Sequence, residues 1–308
     1  MKNKIVVIGS SNVDLIMKMD HLPQKGETVT DAFFMQTYGG KGANQAVAAA
    51  RAGGNVAFIN CVGQDAYTPQ MVQNYKDDGI DTRYVFKMNN VTSGHALVMI
   101  GNEGVNYLSV APGANYLLTN DMIDKAMPII EEAAVIILQY EIPADTIKYV
   151  LDLATEKNIP TVWNFAPARA FDTNYLSKVT TLMLNEVEAG FLAGTATIKT
   201  TEEAEKAARI LLNLGVKEVI ITLGENGAVY FSSNEKHTMP AYKVDVVDTT
   251  SAGDVFAGSY AVGIVEGMTI KNAMRFANAA SGLCVTKMGA QPSAPMRKEI
   301  EAFLKENV

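Results

Sequence analysis

The chain has 308 residues, of which 48% are hydrophobic and only 19% are charged, a composition that supports a large buried core and excludes intrinsic disorder. Lys and Arg number 26 against 33 Asp and Glu, so the net charge is −7. Because no block of basic residues accompanies this acidic balance, we do not expect nucleic acid as a partner.

The two cysteines, Cys61 and Cys284, lie far apart in apolar stretches, which predicts reduced thiols in a core rather than a disulfide. The first residues, MKNKIVVIGSSNVD, contain an apolar run too short for a signal peptide. No apolar run reaches the length that spans a membrane. We therefore expect a cytoplasmic protein.

Short runs rich in Val, Ile and Leu alternate with helical patterns along the chain. The predicted strands are Lys4–Ile8, Val56–Cys61, Val135–Gln139, Thr161–Trp163, Thr180–Leu184 and Glu218–Thr222. The predicted helices are Ala43–Arg51, Met71–Asp77, Asp121–Glu132, Asp145–Glu156, Glu202–Leu214, Gly253–Glu266 and Ile270–Val285. This βαβα order predicts an α/β fold with a doubly wound, mostly parallel sheet flanked by helices, in which ligands gather beyond the carboxyl ends of the strands.

A second, smaller sheet is predicted from three segments that have no helices between them, at 15–19, 27–36 and 95–110. The last segment contains two strands around Asn102-Glu103-Gly104. We expect one α/β domain over residues 1–308 that carries this small sheet.

The stretch YGGKGANQAVAAARAGG, residues 38–54, combines a glycine-rich loop with an Ala-rich helix. Gly39, Gly40 and Gly42 let the backbone pass close to a ligand, and Lys41 and Asn44 can hydrogen-bond hydroxyl groups. The loop does not match the Walker phosphate-binding pattern, and the dinucleotide-binding pattern is absent after the first strand. An ordinary tight turn into a helix is the alternative interpretation.

The stretch VDTTSAGDVFAGSYAVG, residues 247–263, places one carboxylate directly after small residues. The N–H groups of Ala252 and Gly253 at a helix start can bind an anion such as phosphate. Asp254 beside them could accept the proton of an attacking hydroxyl while those N–H groups stabilise a transferring phosphoryl group. The alternative is that Asp254 only complements the dipole of its helix.

Together the two stretches resemble the two signatures of the ribokinase family of carbohydrate kinases, the PfkB family. The motifs SSNVD, GETV, NFAPAR, NEVE, TLGENG and KMGAQPS follow in the order and spacing of that family. The resemblance implies a ribokinase-like fold in which the small sheet is a lid over a sugar. It also implies in-line phosphoryl transfer from ATP to a sugar hydroxyl, here expected to be the 5-hydroxyl of D-ribose, with Asp254 as general base and Ala252 and Gly253 as the anion hole.

The resemblance further implies a set of substrate-binding and cofactor-binding residues. The expected sugar contacts are Asn12, Asp14, Gly40, Lys41, Asn44, Glu141 and the base Asp254. The expected ATP contacts are Asn185, Thr222, Gly224, Glu225, Gly227, Gly253 and Asn278. Asn185 and Glu188 would organise Mg²⁺ and its waters, although the same pair also fits an ordinary helix start. The expected K⁺ site is formed, mostly through backbone carbonyls, by Asp248, Thr250, Cys284, Lys287, Gly289 and Ser293.

Several positions depart from the common pattern of the family, namely Phe165, His95, Ser251, Val255 and Ser259. None of them removes a catalytic group, but they leave the identity of the sugar open. The alternatives are a related kinase acting on deoxyribose, a nucleoside or a ketose, and a catalytically silent sugar- or nucleotide-binding protein. An oxidoreductase is disfavoured because the dinucleotide-binding pattern is absent.

The alternation of side chains in the lid predicts a homodimer. A sheet with one face on a ligand and the other in water should have one polar set of alternate side chains. In 95–100 both sets are mainly apolar. One set holds His95, Leu97 and Met99, and the other holds Ala96, Val98 and Ile100. Pairing two lids about a two-fold axis would bury the apolar patch. The alternative is that the second face packs on a loop of the same chain.

Overall fold

The computed structural model describes residues 2–102 and 106–307. Its strands are β1 Lys4–Ile8, β2 Asn12–Lys18, β3 Phe33–Gly39, β4 Asn55–Gly63, β5 Asp81–Met88, β6 Gly94–Ile100, β7 Asn106–Ala111, β8 Ala133–Leu138, β9 Thr161–Asn164, β10 Thr181–Leu184, β11 Glu218–Thr222, β12 Ala228–Ser232 and β13 Lys236–Met239. Its α-helices are α1 Lys41–Arg51, α2 Thr68–Asp77, α3 Asn120–Lys125, α4 Met127–Ile130, α5 Ala144–Glu156, α6 Glu186–Ala193, α7 Thr201–Asn213, α8 Ala252–Val265, α9 Ile270–Cys284 and α10 Arg297–Glu306.

The main sheet has nine strands in the order β13-β12-β11-β10-β9-β8-β1-β4-β5. The pairs from β10–β11 through to β4–β5 are parallel, and only β11–β12 and β12–β13 are antiparallel. The predicted doubly wound α/β fold is therefore confirmed. Because β8 and β4 flank β1 on opposite sides, the order of the strands reverses at β1, and a ligand crevice is expected at its carboxyl end.

The second sheet has the order β3-β2-β6-β7. The strand expected at 27–36 lies later in the chain, because β3 pairs with β2 without a break from Phe33 opposite Lys18 to Gly39 opposite Asn12. The expected turn at Asn102-Glu103-Gly104 falls between the antiparallel strands β6 and β7, and Glu103 and Gly104 lie outside the described residues.

Some elements differ from the sequence prediction. The helix expected over 121–132 is two short helices, α3 and α4, and Pro128 stands at the start of the second. Proline lacks the N–H group that a continuing helix needs, which explains the break. Strands β5, β12 and β13 and helix α10 were not predicted from the sequence, and the start of α6 was given only as the alternative use of Asn185 and Glu188.

The core lies in two layers, one on each face of the main sheet. Val6 and Ile8 of β1 point into one hydrophobic cluster, whereas Ile5 and Val7 point into the other. In the second layer α1 and α8 approach closely, since a Cβ on Gly258 would lie 2.6 Å from the carbonyl oxygen of Gln45. This contact holds the beginnings of the two helices side by side. No described helix is long and apolar enough to cross a membrane.

Candidate active site

A cleft of about 220 Å³ opens at the carboxyl ends of β9, β10 and β11, beside the start of α8. The residues expected from the sequence that line it are Lys41, Asn185, Glu188, Thr222, Ala252, Gly253 and Asp254. Its lining also includes Asn164, Thr249 and Ser251. The structure thus brings both sequence signatures to one cleft.

Ser251 shapes the start of α8 because it adopts the left-handed conformation, with φ of 67°. The chain therefore turns sharply into the helix, and the N–H group of Ala252 forms a long hydrogen bond of 3.3 Å to the carbonyl of Thr249. A Cβ on Gly253 would meet nothing within 4 Å. Open space over this glycine and weakly held N–H groups at a helix start are the features of an anion site.

The carboxylate of Asp254 is buried at 6% exposure and is held by three donors. Its Oδ2 accepts hydrogen bonds from Asn44 Nδ2 at 3.0 Å and from the Ser251 hydroxyl at 3.2 Å. Its Oδ1 accepts a hydrogen bond from Gln45 Nε2 at 2.9 Å. Asn44 and Gln45 belong to α1, so the two helix starts meet on this carboxylate. The purely structural alternative, in which Asp254 only complements its helix dipole, does not account for these contacts.

Glycines let the loop before α1 pack tightly against β2. Gly40 has φ of 89°, and a Cβ on it would lie 2.8 Å from the backbone nitrogen of Asn12. A Cβ on Gly39 would lie 2.1 Å from a carboxylate oxygen of Asp14. The missing side chains therefore leave room for the two polar residues that the sequence assigns to the sugar.

Lys41 and Glu141 face each other at this loop. Glu141 Oε2 accepts hydrogen bonds from the backbone N–H of Lys41 at 3.0 Å and from the hydroxyl of Ser10 at 2.5 Å. Burial works against the charge of Lys41, but the carboxylates of Asp254, Glu141 and Glu188 outweigh it and raise the pKa of Lys41. The ammonium group therefore stays charged beside the cleft.

Asn12 and Asp14 lie in β2 and not in a turn after β1. Asn12 is buried, and its Oδ1 accepts a hydrogen bond from Asn115 Nδ2 at 2.8 Å. Burial, with a smaller contribution from the charge of Glu141, raises the pKa of Asp14 to about 7. A carboxyl group so removed from water gains from hydroxyl donors that a ligand brings.

Asn185 and Glu188 form a capping box at the start of α6. Asn185 Oδ1 accepts two backbone N–H groups at 2.9 Å, and Glu188 Oε2 accepts the N–H of Asn185 at 2.9 Å. Burial raises the pKa of Glu188 despite that N–H group and the nearby Lys41. Because the amide oxygen of Asn185 is occupied, only its Nδ2 remains for a ligand, which suits a phosphate or water oxygen and not a cation.

The residues expected to contact ATP do not all lie on this cleft. Thr222, at the end of β11, lines it, whereas Gly224, Glu225 and Gly227 form the tight turn between β11 and β12 beyond it. Asn278 is buried on α9, where its Nδ2 donates to the carbonyl of Pro240 at 2.8 Å. The amide of Asn278 thereby anchors the segment that follows β13.

The two segments expected to bind K⁺ meet beside the start of α8. Asp248 accepts hydrogen bonds from the N–H groups of Thr250 and Gly289, both at 2.9 Å, and these outweigh the effect of burial and lower its pKa. The thiol of Cys284 lies 3.0 Å from the hydroxyl of Ser293, and burial raises its pKa to about 11. Lys287 pairs with Glu299 at 2.7 Å, so only its backbone is available to this loop.

Three of the positions that depart from the family pattern pack against neighbouring residues. Phe165 is buried against Trp163, with ring centroids 5.1 Å apart. His95 Nδ1 lies 2.9 Å from the carbonyl of Ser93, and its ring packs edge-on against Tyr67. Val255, on α8, is buried in the hydrophobic core.

Sequence reasoning missed four polar residues that support the site. Ser10 and Asn115 hold Glu141 and Asn12, respectively, and Gln45 holds Asp254. Gln139 donates to Gln45 at 2.7 Å. Their common signal is a polar side chain inside or next to an apolar run, as with Gln45 in the Ala-rich helix and Gln139 after VIIL.

Known carbohydrate kinases resemble the chain over nearly its whole length. Residues 2–297 match the pfkB family of carbohydrate kinases. The chain is 38% identical over 300 residues to a ribokinase of Bacillus subtilis, covering 97% of this chain and 99% of the relative, and 34% identical over 304 residues to a deoxyribokinase of Salmonella typhi, covering 98% and 99%. The structure of Arabidopsis thaliana ribokinase complexed with ribose and ATP superposes with a TM-score of 0.93 at 34% identity, covering 99% of both chains. The chain therefore belongs to the pfkB family of carbohydrate kinases.

Proposed function

We propose that this carbohydrate kinase transfers the γ-phosphoryl group of ATP to the 5-hydroxyl of D-ribose. The observation that carries the proposal is the position of the Asp254 carboxylate. It lies in the first turn of α8 and accepts a hydrogen bond from Asn44 of α1, next to the glycine-rich loop. A sugar hydroxyl placed by the first element and a phosphoryl group placed by the second would meet at that carboxylate.

The chain's own residues supply most of the mechanism. Asp254 accepts the proton of the 5-hydroxyl as the hydroxyl oxygen forms a bond to the γ-phosphorus and the bond from phosphorus to the leaving ADP oxygen breaks. The N–H groups of Ala252 and Gly253 stabilise the charge on the transferring group, and Lys41 adds a positive charge beside it. The Oδ1 atom of Asn44 is buried with no partner among the described residues, so it is free to accept a sugar hydroxyl.

The expected cations fit the residues to different degrees. Glu188 is a buried carboxylate on the cleft, and it would hold the waters of Mg²⁺, which supplies charge neutralisation of the ATP phosphates. Asn185 would contact a phosphate or a water through Nδ2. Beside the helix start, Asp248 accepts the N–H groups of Thr250 and Gly289 and so joins the two segments. A K⁺ ion there would be held by backbone carbonyls and this one carboxylate, with Thr250, Cys284, Lys287, Gly289 and Ser293 contributing to the donor set.

A coupled assay of ADP formation tests the proposal across ribose, 2-deoxyribose, ketoses, hexoses and nucleosides. We expect the highest kcat/KM for D-ribose, with phosphorus NMR placing the phosphate on carbon 5. The resemblance to a deoxyribokinase makes 2-deoxyribose the second candidate, and a preference for it would overturn the choice of ribose. Sugar binding by calorimetry without any ADP formation would instead indicate a catalytically silent sugar-binding protein.

A further inference from the structure

Two buried glutamines form a chain of hydrogen bonds behind Asp254. Gln139 Nε2 donates to Gln45 Oε1 at 2.7 Å, and Gln45 Nε2 donates to Asp254 Oδ1 at 2.9 Å. Both glutamines have no solvent exposure. Gln139 directly follows β8, Gln45 belongs to α1 and Asp254 to α8. This series of hydrogen bonds therefore connects three elements to one carboxylate.

The chemistry of the groups sets the direction of this chain. An ionised carboxylate only accepts hydrogen bonds, so Gln45 must turn its NH₂ group towards Asp254 and its oxygen towards Gln139. That oxygen needs a donor, so Gln139 must in turn present its own NH₂ group. Reversing either amide would set two acceptors against each other.

The arrangement has a cost that a purely structural role does not explain. Within residues 2–102 and 106–307, Gln139 Oε1 is buried without a hydrogen-bond partner. A Cβ on Gly9 would lie 1.9 Å from this oxygen, so Gly9 is needed to leave room for the amide. Burying a polar group without a partner is unfavourable, and an apolar side chain of similar size would avoid this penalty.

We infer that Gln139 is a positioning residue that acts through Gln45 to keep the carboxylate of Asp254 in one orientation towards the sugar hydroxyl. This inference rests on the proposed function. The two amides stay neutral throughout, and no proton passes along them. Asn44 and Ser251 hold the other carboxylate oxygen, so without Gln45 the carboxylate would pivot about Oδ2.

The first test replaces Gln139 by methionine, which has similar length but no donor. We expect Gln139→Met to lower kcat by about 10–100-fold, because a small misplacement of a reacting group has effects of this size, while the KM values for sugar and ATP change less than about twofold. The matched control is Thr161→Val at the start of β9, where the buried hydroxyl accepts the N–H of Thr180 at 3.0 Å. It likewise removes one buried hydrogen bond and should leave kcat unchanged.

The second test uses Gln139→Glu, which keeps the shape of the side chain. When protonated, the new carboxyl group donates to Gln45 as the native amide does, whereas the ionised form would turn the Gln45 amide round and set its oxygen against Asp254. We expect kcat relative to wild type to be at least about threefold higher at pH 6 than at pH 8.5. Lys41, Glu188 and Asp14 are present in both proteins, so their titration cancels in this ratio.

These outcomes separate the inference from the proposed function. A wild-type protein that phosphorylates no sugar would overturn the proposed function, and the inference would then be tested by the side-chain ¹⁵N–¹H signals of Gln45, which Gln139→Met should shift and Thr161→Val should not. Wild-type kcat in Gln139→Met, an equal loss of kcat in Thr161→Val, or unmoved Gln45 signals would overturn the inference. If Gln139→Met does not fold, the test is Gln139→Glu. A ratio of its kcat to the wild-type kcat that does not vary with pH would overturn the inference.

Discussion

Asp254 is a buried carboxyl group and Asp14 a partly buried one, and their surroundings suit opposite tasks. Asp254 has a donor on each side of its carboxylate and lies on the cleft beside the helix start. Asp14 lies at the base of the lid sheet, where burial disfavours its charge. The first arrangement suits a base that keeps one orientation, and the second suits a carboxyl group that gains hydrogen-bond donors when a sugar binds.

At Asp254 we expect the change to asparagine to lower kcat by about 10²–10⁴-fold, because an amide cannot accept the proton of the attacking hydroxyl. Folding and ATP binding should stay close to wild type, since the asparagine oxygen can still accept a hydrogen bond from Gln45 or Asn44. Steady-state kinetics, thermal unfolding and ATP titration measure the three quantities. Near wild-type turnover would refute the role of Asp254 as base.

At Asp14 we expect stability to depend on pH. Its pKa in the folded protein is raised from 3.8 to about 7, so between these values the folded chain holds a proton that the unfolded chain has released. Its contribution to stability is therefore complete below about pH 4 and is lost as the pH rises through about 7. Each pKa unit is worth about 1.4 kcal/mol and the shift is about three units, so Asp14→Asn should raise the free energy of unfolding at pH 8 by up to about 4 kcal/mol.

Urea unfolding of the ligand-free protein at pH 4 and pH 8 measures this effect, and near pH 4 the two proteins should differ little. Asp31→Asn, at an exposed position, is the control and should change neither value. Sugar hydroxyls donate hydrogen bonds to the ionised carboxylate, so the sugar affinity of the wild type should increase from pH 6 to pH 8. This increase should be absent in Asp14→Asn. An unfolding difference that does not vary with pH would contradict the raised pKa.

Among the elements, the starts of α1 and α8 carry the site, and the loops around them set its geometry. The left-handed Ser251 turns the chain into α8, and the carboxylate of Asp248 joins the segment before that turn to the one that follows α9. A cation bound between these segments would order the helix start without contacting the reacting atoms.

We therefore expect potassium to raise kcat/KM several-fold over sodium at equal ionic strength with ATP, Mg²⁺ and ribose present. Asp248→Asn should bring this ratio close to one, because it removes the only carboxylate of the proposed donor set and one of the acceptors for Thr250 and Gly289. Equal activity of the wild type in the two salts, with no cation bound there, would refute the potassium site.

At the scale of the whole molecule, the lid exposes apolar side chains on both of its faces. Leu97 and Phe34 are 44% and 55% exposed and share one face with Met99, whereas Phe33 and Leu108 are 69% and 64% exposed on the face of Asp14. One face can cover the sugar, but the other leaves an apolar patch that a monomer would present to water. We propose that two chains pair through the face that carries Leu97.

Light scattering tests this pairing. We expect a dimer at micromolar concentration, and we expect Leu97→Lys to split it and to weaken sugar binding, because a charge on that face cannot be buried against a second lid. Ile210→Lys on α7, where the isoleucine is 38% exposed, is the control and should remain dimeric. A stable wild-type monomer at the same concentration would refute the dimer.

The sequence by itself determined the alternation of strands and helices, because hydrophobic periodicity and turn residues act over a few positions. It also located the start of α8 within one residue, since small residues followed by an acid are a local signal. It did not predict β5, β12 and β13, nor the break between α3 and α4.

Only the tertiary structure decided what surrounds each functional group. The contact of Asn44 and Gln45 with Asp254 joins residues about two hundred positions apart, and it depends on the close packing of α1 against α8 at Gly258. The raised pKa of Asp14 likewise arises from its burial within the small sheet, whose strands come from distant parts of the chain. Motifs identify which side chains can do chemistry, but desolvation and hydrogen-bond partners depend on long-range packing, which no local pattern in the sequence encodes.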